Sequence, residues 1–350
     1  MDRGTRMIPV QDAPRANIGF APDTTLRTRR ADTLDVSVCI ANWNCKELLE
    51  KCLISLLEQN QDVSFEVIVV DNASTDGAPE MIAQDFPQVK LVRNSRNLGF
   101  SKANNQAAEI ATGRYLFFLN NDTELPPHTL VEFVEYADAN PGIGMVGPRL
   151  RGSDGEAQIS YRTKPTLGAL LHRISLLRWT GLFRDAYYRY RRETFEADGV
   201  RPVEVLMGAA MFLSREVFDA SGRWDERYRF GGEDLDLSTQ VGLHGPLVYF
   251  SDIEILHYGR VSSRANVGFA APNVAIGYVH YFRKAGVSPT NLIIYKTLVT
   301  LDAPVQLCEK LLQGAFRWCL GRKDKAKKSW LSAAGLWSFL RRELAQFWRA

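Results

Sequence analysis

Residues Tyr115-Leu116-Phe117-Phe118-Leu119 form an unbroken apolar run, bounded by Gly113 on one side and by Asn120-Asn121-Asp122-Thr123 on the other. Such a run reads as a strand covered on both faces, which requires layers packed above and below a sheet. It stops abruptly at polar residues. In an open parallel sheet, ligands collect beyond the carboxyl ends of the strands, and a carboxylate there can hold a hard cation and, through it, a phosphate. The same four polar residues also suit a plain turn before a helix entered through Pro126-Pro127.

The flanking sequence repeats the pattern. Strands are expected at residues 35–41, 65–70, 89–93, 115–119 and 143–146, with helices at 46–59, 79–85, 101–111 and 127–139 between them. The helix at 46–59 carries Leu49, Cys52, Leu53, Leu56 and Leu57 on one face. Strand and helix alternate, so the fold class is α/β, with a mostly parallel, doubly wound, Rossmann-like sheet. Three strands in a row end in polar residues: Asn42 and Asn44, then Asp71, then Asp122. Turns alone do not ask for that coincidence. A nucleotide lying across the strand ends does, with Asp71 accepting from a base or ribose.

Composition narrows the alternatives. The chain has 350 residues, 45% hydrophobic and 24% charged, with a net charge of +3. These are globular values, and the charge gives no reason to expect a nucleic-acid partner. Five cysteines show no metal-ligand spacing and read as free thiols, which suits a reducing, cytoplasmic compartment. Residues 1–33 contain six arginines among Pro, Gly, Thr and Asp, lack the apolar core of a signal peptide, and are expected to form a disordered arm. No uncharged stretch approaches the roughly 20 apolar residues needed to span a bilayer.

The first strand is followed by Asn42-Trp43-Asn44-Cys45 rather than G-x-G-x-x-G, and no G-x-x-x-x-G-K-[ST] occurs. Dinucleotide-dependent dehydrogenases and P-loop enzymes are therefore disfavoured. Taken together, Val36-Ser37-Val38…Asn42-Trp43-Asn44, Val69-Val70-Asp71-Asn72-Ala73-Ser74-Thr75-Asp76-Gly77, Arg96-Asn97-Leu98-Gly99-Phe100…Asn104 and Asn120-Asn121-Asp122 resemble the inverting family 2 glycosyltransferases of GT-A fold, over residues 34–285. The resemblance implies a nucleotide-sugar site formed by Ala41, Asn42, Asn44, Asp71, Asn97, Asn104, Asn120 and Asn121. It implies that Asp122, last residue of a D-x-D-like motif, binds Mg²⁺ or Mn²⁺ on the donor diphosphate. Asn120 and Asn121 stand where that motif has other residues, so Asp122 is its sole carboxylate. His257, in His257-Tyr258-Gly259-Arg260-Val261-Ser262, matches a segment that completes the metal site in some family members. A lone histidine also serves as an ordinary structural residue.

The second chemical centre is Gly231-Gly232-Glu233-Asp234. Acidic residues at a helix start complement its dipole. In a glycosyltransferase they acquire another use, because the acceptor hydroxyl needs a base. The segment resembles the family's E-D motif, which makes Asp234 that base and gives Glu233 the task of orienting the acceptor. Trp224, Gly208 and Arg260 are expected to contact the acceptor. Between the two centres, residues 151–203 interleave Arg162, Lys164, Arg173, Arg178, Arg184 and Arg189 with Tyr161, Trp179, Tyr187, Tyr188 and Tyr190. This insert suits an anionic acceptor or a membrane interface, and equally a solvated helical excursion.

The expected organisation is a GT-A domain at 34–288, with a nucleotide-binding half at 34–150 and an acceptor half at 151–288, followed by an amphipathic helical appendage at 289–350. One helix is expected to start at Asp302-Ala303-Pro304 and to carry Val305, Cys308, Leu311, Leu312, Ala315, Phe316 and Cys319 on one side. A basic cluster at 322–328 precedes a helix bearing Trp330, Trp337, Leu340, Leu344, Phe347 and Trp348. These features suit an anionic membrane surface; packing on the catalytic domain or on a second copy is the alternative. The implied partners are a dTDP- or UDP-sugar, with rhamnose as the leading sugar, and a glycan or polyprenyl-diphosphate-linked acceptor in cell-surface polysaccharide synthesis. Two rivals are a sugar nucleotidyltransferase, which would need a glycine-rich, basic first loop, and a non-catalytic nucleotide-binding scaffold, which would not need both Asp122 and Asp234.

Overall fold

The computed structural model describes residues 34–59, 62–191, 198–259 and 267–350. The arm expected at 1–33 and the segment containing Arg260 lie outside these residues.

The first half follows the expected alternation: β1 (Val36–Asn42), α1 (Lys46–Gln59), β2 (Phe65–Asp71), α2 (Ala78–Asp85), β3 (Lys90–Arg93), α3 (Phe100–Ile110) and β4 (Tyr115–Asn120). A two-residue β5 (Thr123–Glu124) then leads to α4 (Thr129–Ala139) and β6 (Met145–Arg151). Helix α4 starts two residues later than its prolines suggested, because His128 adopts a left-handed φ of 66° just ahead of it.

The second half adds short elements: β7 (Tyr161–Arg162), α5 (Leu167–Leu171), α6 (Ser175–Thr180), α7 (Arg184–Arg191), β8 (Val200–Val203), β9 (Val205–Leu206) and β10 (Ala210–Ser214). It continues through α8 (Arg215–Ala220), α9 (Glu233–Val241), β11 (Leu247–His257) and α10 (Val267–Lys284). The chain closes with α11 (Pro289–Cys319), α12 (Lys323–Ser338), a π-helical turn at Phe339–Glu343 and α13 (Leu344–Arg349).

The main sheet has the order β3-β2-β1-β4-β10-β6-β11-β5, with β8 also paired to β11. Six of these nine strands share one direction; β5, β8 and β10 run against them. The sheet is thus mostly parallel but mixed. Strand β10 comes from the acceptor half yet lies between β4 and β6 of the nucleotide half, so the two halves share one sheet. The apolar run of β4 is covered on both faces. Phe117 and Leu119 enter a core with α1 and α4, whereas Leu116 and Phe118 enter another with α3 and α9.

A third core joins the insert to the C-terminal helices through Leu170, Leu235, Tyr278, Tyr295, Phe339 and Phe347. Here the structure departs from the sequence expectation. Helix α11 begins at Pro289, with Pro304 in its interior. Its expected apolar stripe faces outward: Leu312 is 71% and Phe316 66% exposed. Helix α12 packs instead through Ala326, Ser329 and Ala333, leaving Trp330 and Trp337 exposed. Small residues permit close helix approach; a Cβ at Gly314 would come within 2.2 Å of the Trp330 indole nitrogen.

Candidate active site

Parallel pairing brings the carboxyl ends of β1, β2 and β4 side by side. Asn42 lies opposite Asp71, and Ala41 opposite Asn120. Asp71 is buried and accepts from Asn42 Nδ2 at 2.8 Å and from the Ser74 amide at 2.8 Å. Asn42 Oδ1 in turn accepts from Asn121 Nδ2 at 2.7 Å. Asn44 takes a left-handed φ of 49°, a conformation asparagine tolerates better than most residues. Its side chain accepts from the Thr75 amide at 2.7 Å. These asparagines therefore build and pin the loop after β2. Asn97 is exposed and accepts from the Gly99 amide at 2.9 Å, shaping the entry to α3. Asn104 is buried, and its Oδ1 has no hydrogen-bond partner among the described residues.

The pairing of β5 with β11 sets His257 opposite Thr123, and so beside Asp122. His257 Nε2 lies 3.4 Å from Asp122 Oδ1 and 3.4 Å from Asn120 Nδ2. On the far side of the ring, His257 Nδ1 faces Gln158 Oε1 at 2.8 Å, while Gln158 Nε2 donates to the His257 carbonyl at 2.8 Å. The second bond fixes the amide orientation, so Nδ1 must carry the proton toward Oε1. The neutral ring then keeps its Nε2 lone pair for the Asp122 side, the arrangement found around metal-ligating histidines. Adjacent ligands about 2.1 Å from an octahedral ion lie about 3 Å apart, so this carboxylate and imidazole fit a shared divalent cation. No third His, Cys, Asp or Glu joins them among the described residues. The neighbouring Cys45 offers no thiolate, because burial pushes its thiol up to about 11, with the Asp122 charge adding to the effect.

Strand β10 carries the other half of the site. The Asn120 amide donates to the Ala209 carbonyl at 2.9 Å, and Gly208 follows that contact toward Asp234, whose Cβ would lie 3.4 Å from a Cβ at Gly208. Gly231 and Gly232 both take left-handed φ values, 81° and 98°, and deliver Glu233 and Asp234 to the start of α9. Only glycine suits Gly231, since a Cβ there would strike the Val274 side chain at 2.6 Å. Asp234 Oδ1 accepts from Arg162 Nη2 at 2.8 Å and from the Leu235 amide at 2.8 Å. Glu233 is partly buried; its Oε2 is enclosed without a hydrogen-bond partner among the described residues. Burial, reinforced by the adjacent Asp234, raises its pKa. Asp236, two residues on, has a different environment. It is buried, accepting from Lys284 Nζ at 2.8 Å and from the Tyr228 hydroxyl at 3.3 Å.

The structure thus gathers Ala41, Asn42, Asn44, Asp71, Asn120, Asn121, Asp122 and His257 at one end of the sheet, with Gly208 leading to Asp234 and Glu233. Trp224 does not join them as an acceptor contact. It is 2% exposed, edge-on to Phe100 at 5.2 Å and to Phe118 at 5.2 Å, and is a core residue. Arg162, one of the insert's basic residues, turns onto Asp234. Gln158 was not foreseen, and no sequence pattern around it marks its contact with a strand 99 positions away.

The profile of Glycosyl transferase family 2 matches residues 37–220. The N-acetylglucosaminyl-diphospho-decaprenol L-rhamnosyltransferase of Mycobacterium tuberculosis is 32% identical over 225 residues, covering 60% of this chain and 71% of that protein. The O-antigen biosynthesis protein RfbC of Myxococcus xanthus is 28% identical over 243 residues, 67% of this chain but 18% of that much longer protein. A solved structure of GalNAc-T7 with UDP, GalNAc and Mn²⁺ superposes with a TM-score of 0.51 at 18% identity, covering 71% of this chain and 48% of that one. That likeness speaks for the GT-A fold. The profile match over more than half the chain, on strands whose ends carry the polar cluster just described, gives the conclusion: this chain is a glycosyltransferase and belongs to glycosyl transferase family 2.

Proposed function

We propose that the enzyme transfers a sugar, with inversion, from a nucleoside diphosphate to a hydroxyl of a lipid-linked glycan, in cell-surface polysaccharide synthesis. The observation that carries this reading is the delivery of two separate acidic centres to one end of one sheet: Asp122 with His257 through β5 and β11, and Asp234 through β10 and α9. A Mg²⁺ or Mn²⁺ ion held by Asp122 and His257 would neutralise the diphosphate of the departing nucleotide. Asp71, Asn42 and Asn44 form the wall for base and ribose. Asp234 takes the acceptor proton as the new bond forms. Arg162 and the Leu235 amide both contact Oδ1, which leaves Oδ2 as the oxygen for that proton. The likeness to a rhamnosyltransferase named for a diphospho-decaprenol acceptor supports dTDP-rhamnose as the donor and a polyprenyl-diphosphate glycan as the acceptor. Work on such an acceptor belongs at the cytoplasmic face of a membrane. No helix among the described residues is long and apolar enough to cross one, so attachment is peripheral through the outward apolar and basic surface of α11 and α12.

The test is Asp234→Asn. General base catalysis contributes on the order of 10²–10⁴-fold, so kcat should fall by that factor with donor affinity unchanged. Near-normal turnover in Asp234→Asn, alongside a dead Asp236→Asn or Asp225→Asn, would overturn the assignment.

A further inference from the structure

A cavity of about 850 Å³ lies between the insert helices α5–α7 and the C-terminal helices. It is near the upper end of the range of about 300–1,000 Å³ typical of ligand pockets. Its walls divide by chemistry. The insert contributes Arg173, Arg178 and Arg184 with Trp179, Tyr187 and Tyr188; the C-terminal side contributes Val274, Val299, Ala303, Leu336 and Phe339. The lining contains one acid, Asp302, already engaged by the Ser175 amide at 3.1 Å and by Gln306 Nε2 at 2.5 Å. Arg178 faces Glu309 at 3.4 Å, and Arg184 stacks over Tyr188 at 5.4 Å. Arg173 has no side-chain hydrogen bond or ion pair among the described residues, so the cavity keeps an uncompensated guanidinium. Apolar residues stand free beside it: Trp179 is 75% exposed on α6, and Leu301 is 67% exposed next to Asp302 on α11.

The inner wall connects to the candidate base. Tyr278 lines the cavity, and its hydroxyl lies 3.1 Å from that of Tyr190. Both phenols sit within the electrostatic reach of Arg162, which holds Asp234 at 2.8 Å.

We infer that this cavity is the docking site for the diphosphate and first isoprenoid units of a lipid-linked acceptor. The inference rests on the reading of the acceptor as lipid-linked, and it names where the lipid is held. Arg173, with Arg184 beside it, receives the diphosphate. The Val299, Ala303 and Phe339 wall receives the proximal tail, and the remainder of the tail leaves along the apolar surface of α6 and α11. The sugar then extends past Tyr278 toward Asp234. One ligand thereby meets an apolar wall, an anion-binding wall and a base in the order in which a tail, a diphosphate and a sugar are joined.

The test uses the full-length protein and farnesyl diphosphate in EDTA, where the metal-dependent donor site is silent, read by calorimetry. Wild-type protein should bind it and should not bind farnesol with comparable affinity. Arg173→Ala, at an exposed position without partners, should weaken binding about tenfold or more, as expected for a lost hydrogen bond between charged groups. Trp179→Ser should also weaken it, whereas Asp122→Ala should leave it unchanged. No binding by wild type, equal binding by Arg173→Ala, or loss of binding in Asp122→Ala would each overturn the inference. Binding with the expected variant pattern, but without transfer to any lipid-linked acceptor, would uphold the cavity and refute the proposed reaction. Transfer to such an acceptor with unchanged KM in Arg173→Ala would uphold the reaction and refute the cavity.

Discussion

Gln158→Leu tests the metal half of the site through a residue that would not touch the metal. Leucine keeps most of the side-chain volume but removes two 2.8 Å hydrogen bonds, one fixing the His257 proton on Nδ1 and one satisfying the His257 carbonyl. Without them the ring can rotate, and its proton can move to Nε2, the nitrogen beside Asp122. Each neutral hydrogen bond contributes about 1 kcal/mol. That is folding stability; partners that orient a ligating histidine separately contribute about 10–100-fold in metal affinity, or about 1.4–2.7 kcal/mol. Mn²⁺ binding by the full-length protein with a nucleoside diphosphate, followed by the paramagnetic signal of free Mn²⁺, should weaken by that factor. Gln158→Glu preserves the acceptor for Nδ1 but loses the donor to the carbonyl. It should hold Mn²⁺ affinity within a few-fold while losing only part of the folding stability that Gln158→Leu loses. Unchanged Mn²⁺ affinity in a folded Gln158→Leu, with a clear loss in His257→Ala, would refute the orienting role. Unchanged affinity in both would remove His257 from the metal site.

Three further outcomes follow from contacts elsewhere. Burial raises the Glu66 carboxyl, but Lys90, Ser37 and Thr112 outweigh it and hold the group down at about 2. Its contribution of about 3 kcal/mol is present above the unfolded value near 4.5 and lost as pH falls through about 2, so Glu66→Gln should flatten urea-unfolding stability between pH 5 and 2. Asp236→Asn should lower the thermal midpoint by weakening the Lys284 tie between α9 and α10, while kcat in the folded fraction changes far less than in Asp234→Asn. Reversing Lys325, Lys327 and Lys328 to Glu should cut binding to anionic liposomes at low salt by at least about 10²-fold, since each basic residue contributes about 1 kcal/mol; unchanged binding would reassign this face to a protein contact.

The first half of the fold was legible because each strand is an apolar run and each helix has an apolar stripe. Between β1 and β4, expected and observed ends differ by at most one residue. The polar strand ends were legible for the same reason, since parallel pairing of neighbouring strands necessarily brings their ends together. Contacts created by long-range pairing were not. Nothing local tells Gln158 that it will face His257, or Arg162 that it will reach Asp234 72 positions away. Trp224, expected at the acceptor, is claimed for the core by Phe100 and Phe118, two long-range contacts that its own segment does not announce. In the tail, the start of α11 was misplaced, because Asp302-Ala303-Pro304 reads as a helix start whereas the helix begins at Pro289 and carries Pro304 in its interior. In the structure, small residues such as Gly314 and Ala333 make close contacts, Phe347 enters the third core, and Leu312, Phe316 and Trp337 are left exposed.

The antiparallel strand β10, set between β4 and β6, explains why one sheet can serve two centres. A parallel strand in that position would have to end at the same edge as β4 and could only add another residue to the nucleotide side. Running the other way, β10 starts at that edge, so Gly208 and Ala209 enter the site from the acceptor half. The Ala209 carbonyl is anchored by the Asn120 amide, and Gly208 abuts Asp234. The spacing between the metal side and the base is therefore set by two residues of backbone. The structure allows this to be tested. Gly208 does not require a left-handed conformation, and a Cβ there would meet Asp234 Cβ at 3.4 Å, an ordinary contact. Gly208→Ala should keep near-normal turnover. Gly208→Val adds two methyl groups beside that contact and must displace the Asp234 side chain. A shift of about 1 Å at a reacting group costs about 10²-fold, so kcat should fall by that order while nucleotide binding, governed by Asp71 and its neighbours, is retained. If Gly208→Val turned over normally, the backbone at Gly208 would not be what fixes the base.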